Sequence, residues 1–313
     1  MKKRKAFTLI ELLVVVAIIA LLISILLPSL SRAREITKRA VCTSNAKGIG
    51  TGMKVYSNDN RDFFPVSIFR EANDPAPEIT NVTFVKQMAE NITLLVTGGS
   101  DADKLTNVHP SRSLFLLVVD GTCTAKQFIC PSSGDQDDDL RNKSGSQYVA
   151  SQPGITRFDF RGYPYLSYGY QLPYGSKAQP NENMDPRMVL LADKGPWFRV
   201  GETTDDWLTH DDVVEPPGQG EQLVYDGAST ETDVLAMDND RWRPYNSRNH
   251  GQEGQNCLFQ DGHSTFQKKP ITGVNFDNIY TYQADYELLD TLTGKVPEDL
   301  RGPFTNTDTV IVP

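Results

Sequence analysis

Two groups of histidine and aspartate side chains are candidate ligands for a metal ion. His250, Asp261 and His263 lie close together in the sequence, and imidazole with carboxylate is a ligand set that transition metals accept. A structural role explains the same residues, because His250 can form a hydrogen bond with a turn in which Asp261 is simply the turn residue. The second group is the His-Asp-Asp run at 210–212. We expect neither group to hold a metal, and we expect no cofactor.

An acidic run at 135–139 (DQDDD) has the look of a calcium-binding loop. Such a loop needs glycine at its sixth position and glutamate at its twelfth. The chain has Leu140 and Ser146 there. The run is therefore interpreted as a solvated acidic loop, with calcium binding as the alternative.

Four cysteines form an even set that allows zero, one or two disulfides: Cys42, Cys123, Cys130 and Cys257. The sequence contains no CxxC pair, which disfavours a zinc site built on neighbouring thiolates. If the body of the protein is exported, a Cys123–Cys130 bridge, or one from Cys42 to either of those two, is expected. Spacing does not choose between these pairings.

Enzyme motifs are missing from the sequence. It has no GxSxG, HExxH or GxxxxGK[ST] motif, so we predict that the protein is not an enzyme. Glycines at 48, 50 and 52 form a GxGxG run, but no strand precedes it as nucleotide binding requires. Close packing of a sheet against a helix is the better reason for them. Alternating tyrosines at 163–174 could face a ligand, although such residues more often pack on a sheet.

The charge of the chain excludes another class of function. The formal net charge is −9, although four cations stand at residues 2–5. Nucleic-acid binding depends on cations that replace the counterions of phosphates. We expect no nucleic-acid partner.

The element that dominates the N-terminus is a long apolar segment. From Phe7 to Leu30 it has 24 residues, and a helix of that length covers roughly 36 Å, enough to cross a bilayer core of about 30 Å. The run is longer than the apolar region of an ordinary signal peptide. It also contains Glu11, and a carboxylate in hydrocarbon costs a few kcal/mol unless something compensates for it.

The order of residues around Glu11 resembles the processing site of type IV pilins and of the pseudopilins of type II secretion. Cations at 2–5 are followed by Ala6 and then by Phe7 and the apolar run. The resemblance implies that a membrane peptidase cuts between Ala6 and Phe7 and methylates the new N-terminus. One departure is that the family usually has glycine where this chain has Ala6.

The resemblance also implies roles for Glu11 and Pro28. In that family the glutamate is thought to meet the N-terminal amine of a neighbouring subunit in a filament, and an opposite charge would compensate a desolvated carboxylate. Snorkelling of Glu11 to the membrane interface is the alternative. Pro28 would kink the helix, because it removes one backbone hydrogen bond.

The chain beyond the apolar segment divides into a second half of the stem helix and a head. We expect a leader at 1–6, a membrane-spanning stem half at 7–30, a soluble stem half at 31–60 and a β-rich head at 61–313. The helix should end near residues 58–60. The fold class predicted is α+β, in which the long helix packs against a mainly antiparallel sheet.

Within the head, several segments are assigned individually. Residues 165–172, 187–193 and 310–312 are typical of strands, and 113–120 is either a helix or a buried strand. Residues 256–267 are the clearest hairpin, with Asp261-Gly262 suited to a type I′ turn.

The same hairpin carries a second resemblance. His250, a ten-residue spacer and Asp261-Gly262 are similar to the histidine-spacer-aspartate-glycine signature of a large group of pilin-like proteins. The usual spacer there is nine residues, so a small insertion is expected. The segments CPS at 130–132 and VLLADK at 189–194 fit the same group.

Together these features predict a filament-forming prepilin-like subunit of a type II secretion pseudopilus or a type IV pilus. Its implied partners are the prepilin peptidase and methyltransferase, other pilin-like subunits, an inner-membrane assembly platform with its ATPase, and membrane lipid. The N-terminus would be cytoplasmic, with the head outside the inner membrane and later in a periplasmic or surface filament. The alternatives are a ligand-binding or enzymatic head exported by the same route, and an ordinary secreted protein.

Overall fold

A single long helix forms the N-terminal part of the protein. The computed structural model describes residues 9–66, 110–144, 147–149, 159–171, 180–196, 230–281 and 307–312. Helix α1 runs from Leu9 to Asp59, 51 residues without interruption at Pro28. Its predicted end near residues 58–60 is confirmed. Two segments of α1 behave differently and are named here: the exposed half (Leu9–Leu30) and the packed half (Glu35–Asp59).

The head is built on a five-stranded sheet in which all neighbouring strands are antiparallel. Its strands are β3 (Tyr168–Gln171), β4 (Val189–Asp193), β5 (Gln255–Phe259), β6 (Ser264–Gln267) and β7 (Ile311–Val312). Their spatial order is β6-β5-β4-β3-β7. A separate two-stranded ribbon joins β1 (Asn142–Ser144) to β2 (Gln147–Val149). The predicted α+β class, with a long helix and an antiparallel sheet, is confirmed.

The central strands are covered on both faces. Every residue of β3, β4 and β5 is buried, which accounts for the continuous apolar run of β4 up to Asp193 in place of strict alternation. Tyr168 and Tyr170 are fully buried, and their hydroxyls donate to the carbonyls of Cys42 and Pro65. These two tyrosines therefore pack in the core, as the sheet-packing interpretation predicted.

Glycines bring α1 close to the head. A Cβ atom on Gly50 would stand 2.7 Å from a methyl carbon of Leu258 in β5, and one on Gly52 would stand 2.4 Å from the sulfur of Cys123. Distances this short are not tolerated without movement of the neighbour. The glycine run thus serves helix packing, as expected, and costs some intrinsic helix stability.

The β5–β6 hairpin is confirmed, but its predicted turn type is wrong. A type I′ turn needs positive φ at both central residues. Here Gly262 has φ 89°, whereas Asp261 is not among the residues with positive φ. The amide of Gly262 donates to Phe259 and the amide of Phe259 donates to His263, which is a three-residue loop with a type I turn and a left-handed glycine.

Shorter helices complete the described part of the head. Residues 113–120, ambiguous in the sequence, fall mostly in helix α2 (Pro110–Val119), which is almost wholly buried. Helices α3 (Glu231–Ala236) and α4 (Asn239–Trp242) begin at Thr230 and Asp238, whose side chains accept from backbone amides of the first turn. Such N-caps satisfy amides that have no partner within the helix.

Candidate functional site

The exposed half of α1 presents apolar side chains on all sides. Its large apolar residues are between 46% and 77% exposed, and an 18-residue window of α1 has a mean hydropathy of 3.2 with none of it buried in the head. Within the part of the chain that the structure describes, α1 is the one helix long and apolar enough to cross a bilayer. A helix that is apolar all round requires lipid or other apolar helices as its surroundings.

Two serines inside the exposed half form hydrogen bonds within their own helix. The hydroxyls of Ser24 and Ser29 donate to the carbonyls of Leu21 and Leu26, three residues earlier in the helix. A hydroxyl that bonds its own helix backbone needs no partner from the surroundings, which is what hydrocarbon demands. These two serines therefore do not interrupt the apolar surface.

Glu11 lies in the exposed half, in the first turn of the described helix. An acidic side chain at that end interacts favourably with the helix dipole. Pro28 lies within α1; the expected kink there stays a prediction. Ala6 and Phe7, named for cleavage and methylation, lie outside the described residues, as does the group at 210–212.

Where the packed half begins, four side chains from separate segments meet. Cys42 of α1, Cys130 of the loop after a short 3₁₀ helix, Asp193 at the end of β4 and His250 before β5 are all buried, with one ligand atom of each within 4.8 Å of the others. These four residues are called the junction cluster. The Cys42 and Cys130 sulfurs are 2.7 Å apart, and the Cys130 sulfur is 3.4 Å from His250 Nε2.

Hydrogen bonds fix the buried carboxylate of the junction cluster. Asp193 Oδ2 lies 3.6 Å from His250 Nε2 and accepts the backbone amide of Asn256 at 2.7 Å, while Oδ1 accepts from Asn249 Nδ2 at 3.2 Å. Burial nevertheless raises the pKa of Asp193 above its ordinary value, because desolvation penalises the charged carboxylate.

A second carboxylate contacts the other nitrogen of His250. Glu35 Oε1 is 2.7 Å from His250 Nδ1, and Glu35 also accepts from the hydroxyl of Ser132. Desolvation would raise the pKa of Glu35, but the hydrogen bonds from His250 and Ser132 lower it overall. Desolvation of His250 is likewise outweighed by Cys130, Asp193 and Glu35, which raise its pKa to about 9.

Cations flank this arrangement on its outer side. Arg39 lies one helical turn after Glu35, forms an ion pair with Glu253, and stacks its guanidinium 4.4 Å above the ring of Phe266. Arginine favours such stacked, paired positions because its head is planar and always charged. Arg39 thereby ties the start of the packed half to the segment that carries His250.

The residues of the C-terminal signature do not meet at one site. Asp261 and His263 are about half exposed and bond each other at the tip of the hairpin, 2.5 Å apart, whereas His250 is buried in the junction cluster. The proposed set of His250, Asp261 and His263 is therefore not brought together. Gly262 supplies the left-handed turn residue beside them.

Three of the four cysteines, those named for a possible disulfide, lie in two places, and Cys257 lies in β5. Cys42 and Cys130 meet, while Cys123 packs against Gly52, which lies about 15 Å further along α1. Burial raises the pKa of the Cys123 thiol to about 11. All four thiols are buried and free in the structure.

The acidic run at 135–139 contacts protein donors. Asp135 pairs with the buried Lys194 at 2.9 Å, and Asp138 accepts the backbone amide of Arg161. Asp139 forms an ion pair with Arg161. These contacts explain the run as a structural feature that joins the loop to the head.

Sequence reasoning missed Glu35 and Asp193. Glu35 lies in a stretch whose pattern predicts only a helix, and Asp193 is the last residue of the predicted strand 187–193. The sequence signal for Asp193 is a carboxylate at the end of a buried strand, a position where a charge requires partners. Nothing in the local sequence connects it to Cys42.

Two comparisons relate the chain to known proteins. Residues 1–27 match the prokaryotic N-terminal methylation motif. The type IV wide pilus major component PilA4 of Thermus thermophilus is 40% identical over 63 residues, which are 20% of this chain and 48% of that protein. The match thus spans about half the length of this curated relative. No solved structure is significantly similar to the chain.

The motif, the helix and this relative define the class of protein: a chain with a prepilin-type N-terminal segment on an α+β body. Through that segment the chain is similar to a type IV pilus component.

Proposed function

We propose that this protein is a structural subunit of a pilin-like filament, anchored by its stem in a membrane before assembly. The observation that carries the proposal is the exposed half of α1, which is apolar on every side, continuous with a helix held by the head, and preceded by the methylation motif. An apolar helix that the described part of its own chain leaves uncovered needs lipid first and neighbouring stems later.

Processing between Ala6 and Phe7 would prepare the subunit for assembly. Cleavage by a prepilin peptidase would create a free α-amine at Phe7, which would then be methylated. This amine would lie near Glu11 in the sequence and at the same end of the helix. In lipid, an opposite charge compensates a carboxylate much better than it does in water.

Pairing between subunits follows from the cost of Glu11 in hydrocarbon. A carboxylate in hydrocarbon costs a few kcal/mol unless an opposite charge compensates for it, so a subunit gains when its Glu11 meets the amine of a neighbour. A repeated contact between different surfaces of identical subunits does not close and builds a filament. The inner-membrane platform, its ATPase and the peptidase are the partners that this route requires.

The filament would be a type II secretion pseudopilus or a type IV pilus. The relative among type IV pilus components favours the pilus slightly over the pseudopilus. The rival function is a tethered binding or enzymatic head that uses the prepilin route for export. A tethered head would keep its activity when Glu11 is changed, whereas a filament subunit would lose assembly.

The first experiment is the mass of the N-terminal peptide of protein isolated from its native membrane. A chain that starts at N-methylated Phe7 supports the proposal. A chain that starts near residues 32–34 would identify a conventional signal peptide and contradict it.

The second experiment measures incorporation of Glu11→Ala into filaments sheared from cells. We expect incorporation to fall at least about tenfold, because a few kcal/mol of pairing is lost. Ser24→Ala is the matched control in the same half of α1, since it removes a hydroxyl that bonds only its own helix. Equal incorporation of Glu11→Ala and wild type would overturn the assembly role.

A further inference from the structure

We propose that the junction cluster is a metal site in which a zinc ion, or a similar thiophilic divalent ion, joins the stem helix to the head. The ligands would be Cys42, Cys130, Asp193 and His250. They come from α1, a loop, β4 and the turn before β5, so the folded chain rather than a local motif brings them together. This inference does not depend on the proposed filament function.

The ligand atoms are of the kinds and at the separations that zinc requires. Two sulfurs, one imidazole nitrogen and one carboxylate oxygen can surround zinc at about 2.0–2.3 Å, which places neighbouring ligands of a tetrahedron roughly 3.3–3.8 Å apart. The separations of 3.4 Å from Cys130 to His250 and 3.6 Å from His250 to Asp193 fit that range. The two sulfurs must part by about 1 Å, which a small rotation of either side chain achieves.

The surroundings orient His250 as metal-binding histidines are usually oriented. Its Nδ1 faces Glu35 at 2.7 Å, and its Nε2 points into the junction cluster. A carboxylate on the outer nitrogen fixes the ring with its inner nitrogen toward the metal. Asn256 Nδ2, which lies 2.9 Å from that nitrogen, would give up this contact to the metal and keep its bond to Asp193. Glu35 in turn accepts a hydrogen bond from the hydroxyl of Ser132, so the carboxylate that orients His250 is itself held in place.

The carboxylate ligand is held in place too. Asn256 and Asn249 donate to the two oxygens of Asp193, which is fully buried. A buried carboxylate is costly without a cation, and Asp193 and Cys130 both lie beside Nε2. The carboxylates of Asp193 and Glu35, on either side of the imidazole ring, favour a cation there.

A disulfide between Cys42 and Cys130 is the competing explanation of their proximity. Such a bridge would account for the two sulfurs. It would leave unexplained why a buried carboxylate and an imidazole backed by a second carboxylate converge on the same sulfurs. Because a metal accounts for all four groups at once, we favour the metal.

The test is metal analysis of the full-length chain purified in detergent, without chelators, together with its intact mass. We expect about one equivalent of zinc per chain and a mass with all thiols reduced. The reduced, metal-free chain should take up added Zn²⁺ in that ratio. With added Co²⁺ it should develop the visible absorption of thiolate-bound cobalt.

Variants separate the site from general effects on folding. Cys130→Ser and His250→Gln should lose the bound metal, and Glu35→Gln should weaken metal affinity by about 10- to 100-fold because it removes only the support of a ligand. Cys123→Ser is the matched control, since it changes a buried thiol outside the junction cluster and should keep full metal content. Tryptophan fluorescence checks that each variant is folded.

Two results would overturn the proposal. One is a Cys42–Cys130 linked peptide in the native chain together with no Zn²⁺ or Co²⁺ uptake after reduction. The other is equal metal content in wild type, folded Cys130→Ser and folded His250→Gln, which would show adventitious binding.

Discussion

The two halves of helix α1 show how one regular element can serve two environments. The exposed half is apolar all round and is not buried by the described part of the head, whereas the packed half buries one face that includes Cys42, Ile49 and Met53. The packed half depends on small residues and close contacts, and the exposed half on uniform apolar surface. Substitutions in the packed half should therefore change the stability of the head. Substitutions in the exposed half should instead change how the helix contacts lipid or other helices.

The largest contrast is expected from truncation of one apolar side chain in each half. Met53 is completely buried, so Met53→Ala should lower the free energy of unfolding of the head by about 3 kcal/mol through lost contacts and a cavity. Leu22→Ala in the exposed half should leave it unchanged. Urea unfolding of the full chain in detergent, followed by tryptophan fluorescence, measures the unfolding free energy of both variants. Equal losses in Met53→Ala and Leu22→Ala would show that the two halves do not differ in their contribution to stability.

A finer contrast lies within the packed half. Gly50→Ala would place a methyl group against the buried Leu258, whereas Gly48→Ala would meet the flexible end of Gln127 at 2.9 Å. Alanine gains about 1 kcal/mol in helix propensity at both positions, but overpacking costs 1–3 kcal/mol where nothing yields. We expect the two variants to differ by about 2 kcal/mol in unfolding free energy, with Gly48→Ala the more stable. The reverse order would contradict the packing role of Gly50.

A smaller effect is expected in the hairpin, away from both halves. Gly262 has φ 89°, and a Cβ there would meet nothing within 4 Å, so Gly262→Ala pays only for the left-handed backbone, about 1 kcal/mol. Gly262→Asn should cost less, because asparagine tolerates this conformation better. Thermal unfolding of the two variants and wild type checks the order, and a larger loss in Gly262→Asn would argue against backbone strain as the cause.

The smallest effect on stability at neutral pH is expected from Cys123→Ala, which should instead change how stability depends on pH. Burial raises its thiol pKa from the ordinary value of 9.0 to about 11. The unfolded thiol therefore loses its proton above pH 9 while the folded one keeps it, so the head should lose stability as pH rises from 9 to 11. This loss should be smaller in Cys123→Ala. Urea unfolding at pH 8, 9, 10 and 11 measures it, and identical pH profiles would show that the thiol does not contribute.

Sequence patterns predicted much of this fold because they report local physics. The length and apolarity of α1, its end near residue 59, strands β3 and β4 and the β5–β6 hairpin all follow from periodicity and turn residues. The turn type was missed because Asp261-Gly262 also fits the end of a three-residue loop. That choice depends on strand register, which the dipeptide alone does not set.

The junction cluster could not be predicted in the same way. Cys42 and His250 are far apart in sequence, and their meeting depends on how α1 lies on the sheet. The spacing of residues within a motif indicates which residues are close along one segment of the chain. It therefore suggested a site with His250 and Asp261, whereas the structure places His250 beside Asp193. Burial of charge at the end of β4 was the one local sign of a polar site inside the head.

The continuity of α1 has a mechanical consequence. A pull on the exposed half along the helix axis reaches Cys42, Ile49 and Met53 through a single rod. Their contacts with the head are spread along that axis over about 17 Å, so they carry the load together, in shear, and are not peeled apart one after another. The head would then travel with its stem as one rigid body under tension.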